Sequence, residues 1–516
     1  MAYKPLLTIK NYSAFYPDKT VFERLSFSVG RGETVALVGA NGSGKSTLFD
    51  IVFHRACDSM SVLADRELQT TGELHLVTDA SVAYLGQQNE EPVRKSEQLI
   101  GGRGDGSRDM WIAFALDEDV AAGRPGSDGE LRKRGIIETL SSGADLLLFD
   151  EPTNYLDMAG ILAFEDALLG GCNDDCAVLL VSHDRRLLDR VADRTVYLSP
   201  QGVFETKGGF SAVRALVSSD VEARHHRAGT IRAQIGKLQQ EMTTRMTWAA
   251  RKEKSKRGAG SAKPHIAKQA AKQARRAKSA QLKAEKEIAR LNETKPFVPK
   301  RQKLILPEYE VRNRQVIFLK DLSYRLPSEI ASGDGRELFR EVDLTVSTRD
   351  RVCVMGTNGS GKTTLLRILC REIESTSGEF RFNDGVKLRC LPQGLAGFFE
   401  SSNLLDNFTD LEMSQTEARR VLGAALLRGD RVHGPLTQFS QGELVRAAVV
   451  RCILEQADFL ILDEPTSHLD IETVEALEGL LESFPGGFLI VSHDREFVEN
   501  VADRLYFLED ARLRLV

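Results

Sequence analysis

No stretch of this chain approaches the roughly 18 consecutive apolar residues that a membrane-spanning helix needs. The opening residues, MAYKPLLTIK, hold no signal-peptide apolar core. Any role at a membrane is therefore expected to come through a partner. Cysteine is sparse too: Cys57, Cys172, Cys176, Cys353, Cys370, Cys390 and Cys452 are odd in number and scattered. Only Cys172 and Cys176 lie close together, and no second pair completes a zinc tetrad. Seven reduced thiols and a cytoplasmic setting are the expectation. What remains is ordinary globular composition, 42% hydrophobic and 28% charged over 516 residues. That excludes a disordered or collagenous chain and allows two or three domains with cores of their own.

The net charge of −5 hides an asymmetry. Residues 221–303 carry 23 Lys and Arg against 6 Glu, a balance of +17 that leaves −22 on the rest. Such a segment is suited to a polyanion while the flanking bodies stay soluble; a solvated pair of charged helices is the blander alternative.

On either side of this segment the same motifs occur in the same order. The first copy reads GANGSGKS (Gly39 to Ser46), YLGQ ending at Gln87, GSDGE (Gly126 to Glu130), LLLFDEPTNYLD (Leu146 to Asp157) and VSHD (Val181 to Asp184). The second reads GTNGSGKT (Gly356 to Thr363), CLPQ ending at Gln393, FSQGE (Phe439 to Glu443), LILDEPTSHLD (Leu460 to Asp470) and VSHD (Val491 to Asp494). Thr34 to Val38 and Arg351 to Met355 are short β-rich runs ending at a Gly-rich turn, and helical spacing follows each. The apolar runs at Leu146, Ala177, Phe459 and Phe488 read as strands buried on both faces, hence parallel and covered by helices. The fold class is α/β.

A GxxxxGK[ST] loop between strand and helix wraps backbone N–H groups around phosphates. The candidates in the first copy are Gly39, Ala40, Asn41, Gly42, Ser43, Gly44, Lys45, Ser46 and Thr47. Those in the second are Gly356, Thr357, Asn358, Gly359, Ser360, Gly361, Lys362, Thr363 and Thr364. The lysines reach the β- and γ-phosphates. Ser46 and Thr363 offer hydroxyls to Mg²⁺, while Asp150 and Asp463 suit water-mediated binding of the ion. Glu151 and Glu464 stand where a carboxylate polarises the attacking water, and His183 and His493 can hold that geometry.

These motifs, in this order and twice over, resemble the ATP-binding-cassette superfamily. The resemblance implies two cassettes closing head to tail on two ATP molecules. Each nucleotide would lie between one phosphate loop and the opposite signature: Ser127, Gly129 and Glu130 in the first cassette, Ser440, Gln441, Gly442 and Glu443 in the second. Site one would hold Lys45, Gln87, Glu151 and His183 opposite Ser440, and site two Lys362, Gln393, Glu464 and His493 opposite Ser127, with each glutamine also at the Mg²⁺. Tyr16, and less clearly Tyr324, match the aromatic that stacks on adenine, or else are core tyrosines. Asp128 replaces the Gln441 of the other signature, and Glu138 stands where the second copy has Arg451. A carboxylate repels a triphosphate, so site two is expected to be the weaker, unless Asp128 points into solvent.

Within the basic segment, Ile231, Ile235, Leu238, Met242 and Met246 form one apolar stripe on a helix from about Ser218 to Ser255. Gly258, Gly260 and Pro264 punctuate it, and Ile266, Ala270, Ala277, Ala284, Ile288 and Leu291 continue the spacing on a return helix. Arg251, Lys252, Lys254, Lys256, Arg257 and Lys263 crowd the tip. Trp248 is expected to pack inside the hairpin rather than stack on a base.

Two fused cassettes joined by a long basic α-helical hairpin are similar to the ABC-F subfamily. That resemblance implies an ATPase using ATP and Mg²⁺ at the ribosomal exit-tRNA site, with residues 221–303 directed to rRNA, the peptidyl tRNA and the peptidyl-transferase region. Its output would be modulated translation or protection from an antibiotic, by a monomer without a membrane domain. The expected domains are 1–215, 216–304 and 305–516. The chain ends at Val516 directly after the second cassette, and the C-terminal tail of some relatives is therefore expected to be lacking. The rival is the fused ATPase subunit of a membrane importer, against which the +17 segment argues. A nucleic-acid repair ATPase would carry zinc-spaced cysteines or a far longer coiled coil.

Overall fold

The computed structural model describes residues 5–87, 93–94, 110, 112–114, 127–170, 175–199, 202–255, 263–294, 309–327, 336–395, 397–411, 413–425, 427 and 430–516. The chain forms two units, Met1–Val213 with Lys303–Val516, and Arg214–Gln302.

In the first cassette, β1 (Pro5–Tyr16), β2 (Lys19–Gly30) and β4 (Gln69–Leu76) make an antiparallel sheet in the order β2-β1-β4. The main sheet runs β10 (Gly202–Lys207), β9 (Arg194–Ser199), β3 (Thr34–Gly39), β8 (Ala177–Val181), β7 (Leu146–Asp150), β5 (Val82–Leu85) and β6 (Val93–Arg94). The pairings β9/β3, β3/β8, β8/β7 and β7/β5 are parallel. Both β7 and β8 are buried along their whole length, as strands covered on both faces must be. Helices α1 (Lys45–Ala56), α2 (Met60–Asp65), α3 (Asp128–Leu140), α4 (Met158–Leu169) and α5 (Arg185–Val191) complete this half.

The second unit holds α6 (Phe210–Ser255) from Arg214 onward and α7 (Lys263–Thr294). The first helix is 46 residues, about 69 Å at 1.5 Å per residue, and so longer than its apolar stripe alone indicates. Ile231, Ile235, Leu238 and Met242 are half-buried on it, as are Ala284, Ile288 and Leu291 on α7. Trp248 departs from expectation: it is 55% exposed, not packed inside. Residues 256–262, and the side chains of Arg251, Lys252, Lys254 and Lys263, lie outside the described residues.

The second cassette repeats the first. Its antiparallel sheet is β12-β11-β14, made by β11 (Gln315–Arg325), β12 (Glu337–Ser347) and β14 (Ser377–Phe382). Its main sheet runs β15 (Leu388–Leu391), β16 (Phe459–Asp463), β17 (Gly487–Val491), β13 (Arg351–Gly356), β18 (Arg504–Glu509) and β19 (Arg512–Leu515). The helices are α8 (Lys362–Leu369), α9 (Asp406–Thr409), α10 (Gln415–Ala424), α11 (Gln441–Leu454), α12 (Ile471–Ser483) and α13 (Arg495–Val501). Among the described residues no helix is long and apolar enough to cross a membrane.

The expectation of seven free thiols fails at one place. Cys370, at the end of α8, and Cys390, on β15, are joined in a disulfide with their Cα atoms 6.3 Å apart. In the first cassette Phe53 and Tyr84 occupy the corresponding positions, with ring centroids 5.7 Å apart. Helix end and strand meet at this seam in both halves, a proximity that 20 residues of separation conceal in the sequence.

The two cassettes are also held by reciprocal charge pairs. Arg185, 1% exposed, reaches across to Glu478 at 2.6 Å and Glu496 at 3.3 Å. Its counterpart Arg495 reaches back to Glu165 and, at 3.4 Å, to Asp184. Replacing a buried cation by an apolar isostere strands its carboxylate partners. Arg185→Met should therefore lower the free energy of unfolding by about 2–3 kcal/mol, measured by urea denaturation.

Candidate functional site

The carboxyl ends of β3, β7 and β8, and of β13, β16 and β17, converge on one rim of each sheet, where ligands bind in open α/β folds. After β3 the chain turns through Gly44 at φ +91°, and after β13 through Gly361 at φ +98°. A Cβ at Gly44 would lie 2.8 Å from the Phe22 ring, so only glycine lets the phosphate loop lie this close to the antiparallel sheet. The loop bends round its own lysine. Lys45 Nζ donates to the carbonyls of Gly39 at 2.7 Å and Ala40 at 3.1 Å, and Lys362 Nζ to Gly356 and Thr357 at 2.9 Å each. Burial lowers the pKa of both lysines.

Beyond the strand ends lie the carboxylates. Glu151 Oε1 is 3.1 Å from His183 Nε2, and Glu464 Oε1 is 3.4 Å from His493 Nε2. Both glutamates adopt positive φ, 50° and 47°, a strained backbone of the kind found at functional sites. Desolvation pushes each glutamate pKa up to about 7 and the histidines down, His183 to about 3 and His493 to about 4. The imidazoles are therefore neutral at physiological pH and able to donate to a carboxylate. Asp150 is fully buried with neither carboxylate oxygen hydrogen-bonded, and burial raises its pKa to about 6. In the second cassette Thr363 Oγ1 donates to Asp463 Oδ1 at 3.4 Å.

One cavity of 1220 Å³ joins the two halves. It is lined by Asn41, Gly42, Ser46, Gln87, Ser127, Asp128, Gly129, Glu130, Glu151 and His183 from the first cassette. The second supplies Asn358, Gly359, Gly361, Lys362, Thr363, Thr364, Gln393, Glu464 and His493. Gly129 shows how tight the junction is: a Cβ there would lie 2.8 Å from Tyr155 O and 2.9 Å from Asn358 Nδ2 of the opposite loop. Ser440, Gln441, Gly442 and Glu443 are not part of this lining. Glu130 and Glu443 turn back on their own N-caps, accepting from Ser127 N at 2.7 Å and Ser440 N at 2.8 Å in capping boxes.

Asp128 is on the cavity wall. Glu138 is not; it pairs with Arg134 at 2.8 Å near the far end of α3, which removes it from any argument about the triphosphate. Tyr16 packs half-buried against the first cassette's core and Tyr324 stacks on Phe339 at 6.1 Å; neither lines the cavity.

Sequence reasoning missed the strands of contact between the halves. Asn41 N donates to Asp470 Oδ2 at 2.8 Å, and Asn358 Nδ2 to Tyr155 O at 2.7 Å. Asp157 and Asp470 each cap a helix as well, accepting from Gly160 N and Thr473 N. The repeated Leu-Asp ending of the DEPT segments was the available signal.

With this geometry in view, the comparisons with known proteins agree. The ABC transporter family matches residues 22–154 and 339–467. The chain belongs to the ATP-binding-cassette family, as an ABC-F ATPase. Among its relatives, ATP-binding protein Uup of Caulobacter vibrioides is 28% identical, over 98% of this chain and 77% of the relative. Ribosome protection protein VmlR of Bacillus subtilis is 28% identical, over 97% and 86%. The archaeal ribosome recycling factor in complex with the ribosomal stalk protein shares the fold at a TM-score of 0.57 and 20% identity, over 95% of this chain and 86% of that one. RNase-L Inhibitor does so at 0.57 and 21%, over 97% and 89%.

The raised glutamate pKa values make a prediction about this ATPase without nucleotide. The folded carboxyls keep their protons to about pH 7, while the unfolded ones release them near 4.5, so their contribution to stability declines as pH rises through that window. Glu151→Gln with Glu464→Gln should raise the nucleotide-free Tm at pH 8, with the gain shrinking toward pH 5 in a calorimetric series.

Proposed function

We propose that this ABC-F ATPase works on the ribosome, using ATP binding and hydrolysis at two composite sites to modulate translation or protect the ribosome from an antibiotic. The observation that carries the reading is the union, in one chain, of a paired cassette site with a helical unit holding most of a +17 segment. A cationic rod of that length suits rRNA and tRNA phosphates, whose affinity derives from counterion release. A relative over nearly the whole chain bears the name of a ribosome protection protein. In this reading residues 221–303 extend from the exit-tRNA site toward the peptidyl tRNA, and the protein is a cytoplasmic monomer whose cassettes close within one chain.

At each site the lysine holds the β- and γ-phosphates. Mg²⁺ fits the residues present. Asp150 offers two buried oxygens without a partner beside the loop that carries Ser46, and the described residues contain no ready cage of three or more His, Cys, Asp or Glu. An ion held by one hydroxyl, a glutamine, water and phosphate suits magnesium, which keeps part of its hydration. Bound there, it would neutralise phosphate charge. Glu151 and Glu464 take the proton of the attacking water, and His183 and His493 orient them.

Two measurements test this. Glu151→Gln with Glu464→Gln should bind ATP and lower turnover by about 10²-fold or more, since only the base is lost; near-normal turnover would overturn the assignment of both residues. Co-sedimentation with ribosomes should weaken steeply with salt, and replacing Arg251, Lys252, Lys254, Lys256 and Arg257 by Ala should flatten the slope. Co-purification with a permease instead would favour the importer reading.

A further inference from the structure

The first turn and a half of helix α3 has two different duties. At its N-terminus Ser127 and Gly129 face the phosphate loop of the second cassette, with Asn358 and Lys362 across the cavity. Five residues further on, about 7.5 Å along the helix, comes Arg132. It is 1% exposed, yet among the described residues no carboxylate forms an ion pair with it. Its guanidinium instead gathers backbone carbonyls: Asp150 O at 2.7 Å, Glu151 O at 2.6 Å, Pro152 O at 3.3 Å and Gly86 O. Three of these carbonyls belong to the strand end that presents the first site's carboxylates, and the fourth adjoins Gln87. The corresponding residue of the second cassette is Val445, which has no donor to offer.

We infer that Arg132 is a positioning residue that fixes the catalytic peptide of the first site and ties it, through α3, to the capping of the second nucleotide, a link present in one direction only. A fork of five N–H donors is the one side chain able to span that many carbonyls from a single helix position. Glu151 sits in left-handed backbone, as Glu464 does without such a grip, and Arg132 holds the carbonyls on both sides of that residue. Any movement of Asp150 or Glu151 when the first nucleotide binds or is cleaved is thereby passed to a rigid helix whose N-terminus, five residues before Arg132, lies over the second. The second site has no corresponding lever on the first.

This inference rests on the site assignment proposed above, and the experiment separates the two. With Glu464→Gln in the full chain, turnover reports the first site; with Glu151→Gln it reports the second. In the first background Arg132→Val should lower kcat by about tenfold or more, with KM for ATP changed less than about threefold, because displacement of a reacting group by an ångström is costly while phosphate binding is untouched. Arg132→Lys, which keeps the charge but cannot span four carbonyls, should shift kcat in the same direction, and serves should the valine variant not fold. In the second background the ATP dependence of turnover should show two phases with Arg132, as the first site fills, and one with either variant. Unchanged kcat and two retained phases in a folded variant, while Glu151→Gln abolishes first-site turnover, would overturn the role of Arg132. If Glu151→Gln leaves first-site turnover intact, the site assignment falls and this inference falls with it.

Discussion

Keeping Asp150, Glu151, Asp463 and Glu464 largely out of water, within the field of two buried lysines, is the constraint on which the rest of this unit depends. A carboxylate in such surroundings is costly unless a cation or a proton accompanies it. The parallel sheets supply the setting. Strands covered on both faces can expose polar groups only at their ends, so the chemistry gathers on one rim. Lysine, glutamate and histidine come from three neighbouring strands and reach one another without long loops.

The contacts between cassettes extend this arrangement across the seam. Each phosphate loop is met by the opposite DEPT segment, through Asn41 with Asp470 and Asn358 with Tyr155. The arginine after each switch histidine reaches acidic groups of the other half, Arg185 to Glu478 and Arg495 to Glu165. The histidine and the arginine are two residues apart, so each switch segment contacts its own glutamate and an acidic partner in the opposite cassette.

Much of this was legible in the sequence because repetition multiplies weak signals. The phosphate loops, DEPT boxes and switch histidines, read twice in the same order, identify these strands to within a residue: Thr34 to Val38 extends only to Gly39, and Ala177 to Val181 stands as read. What escaped is what depends on pairs distant in sequence. The antiparallel sheets of β1, β2 and β4 and of β11, β12 and β14 carry mixed polarity that no short pattern distinguishes. The Cys370–Cys390 link and the carbonyl grip of Arg132 arise where helix end meets strand. Glu130 and Glu443 stood in the sequence as members of the signatures, and only geometry shows their carboxylates folded back on the serines. Glu138 seemed aligned with a charge effect because it shares a column with Arg451, but a helix turns side chains away from a site within a few residues.

The two halves are near copies, yet Asp128, Arg132 and the Cys370–Cys390 link each occur on one side alone. A symmetric dimer of identical cassettes could never hold such differences, since every substitution would appear at both sites at once. Joining the copies end to end in one polypeptide lifts that restriction. Sequence drift can then give the two nucleotides separate fates, and a machine built from duplicated parts acquires a first step and a second.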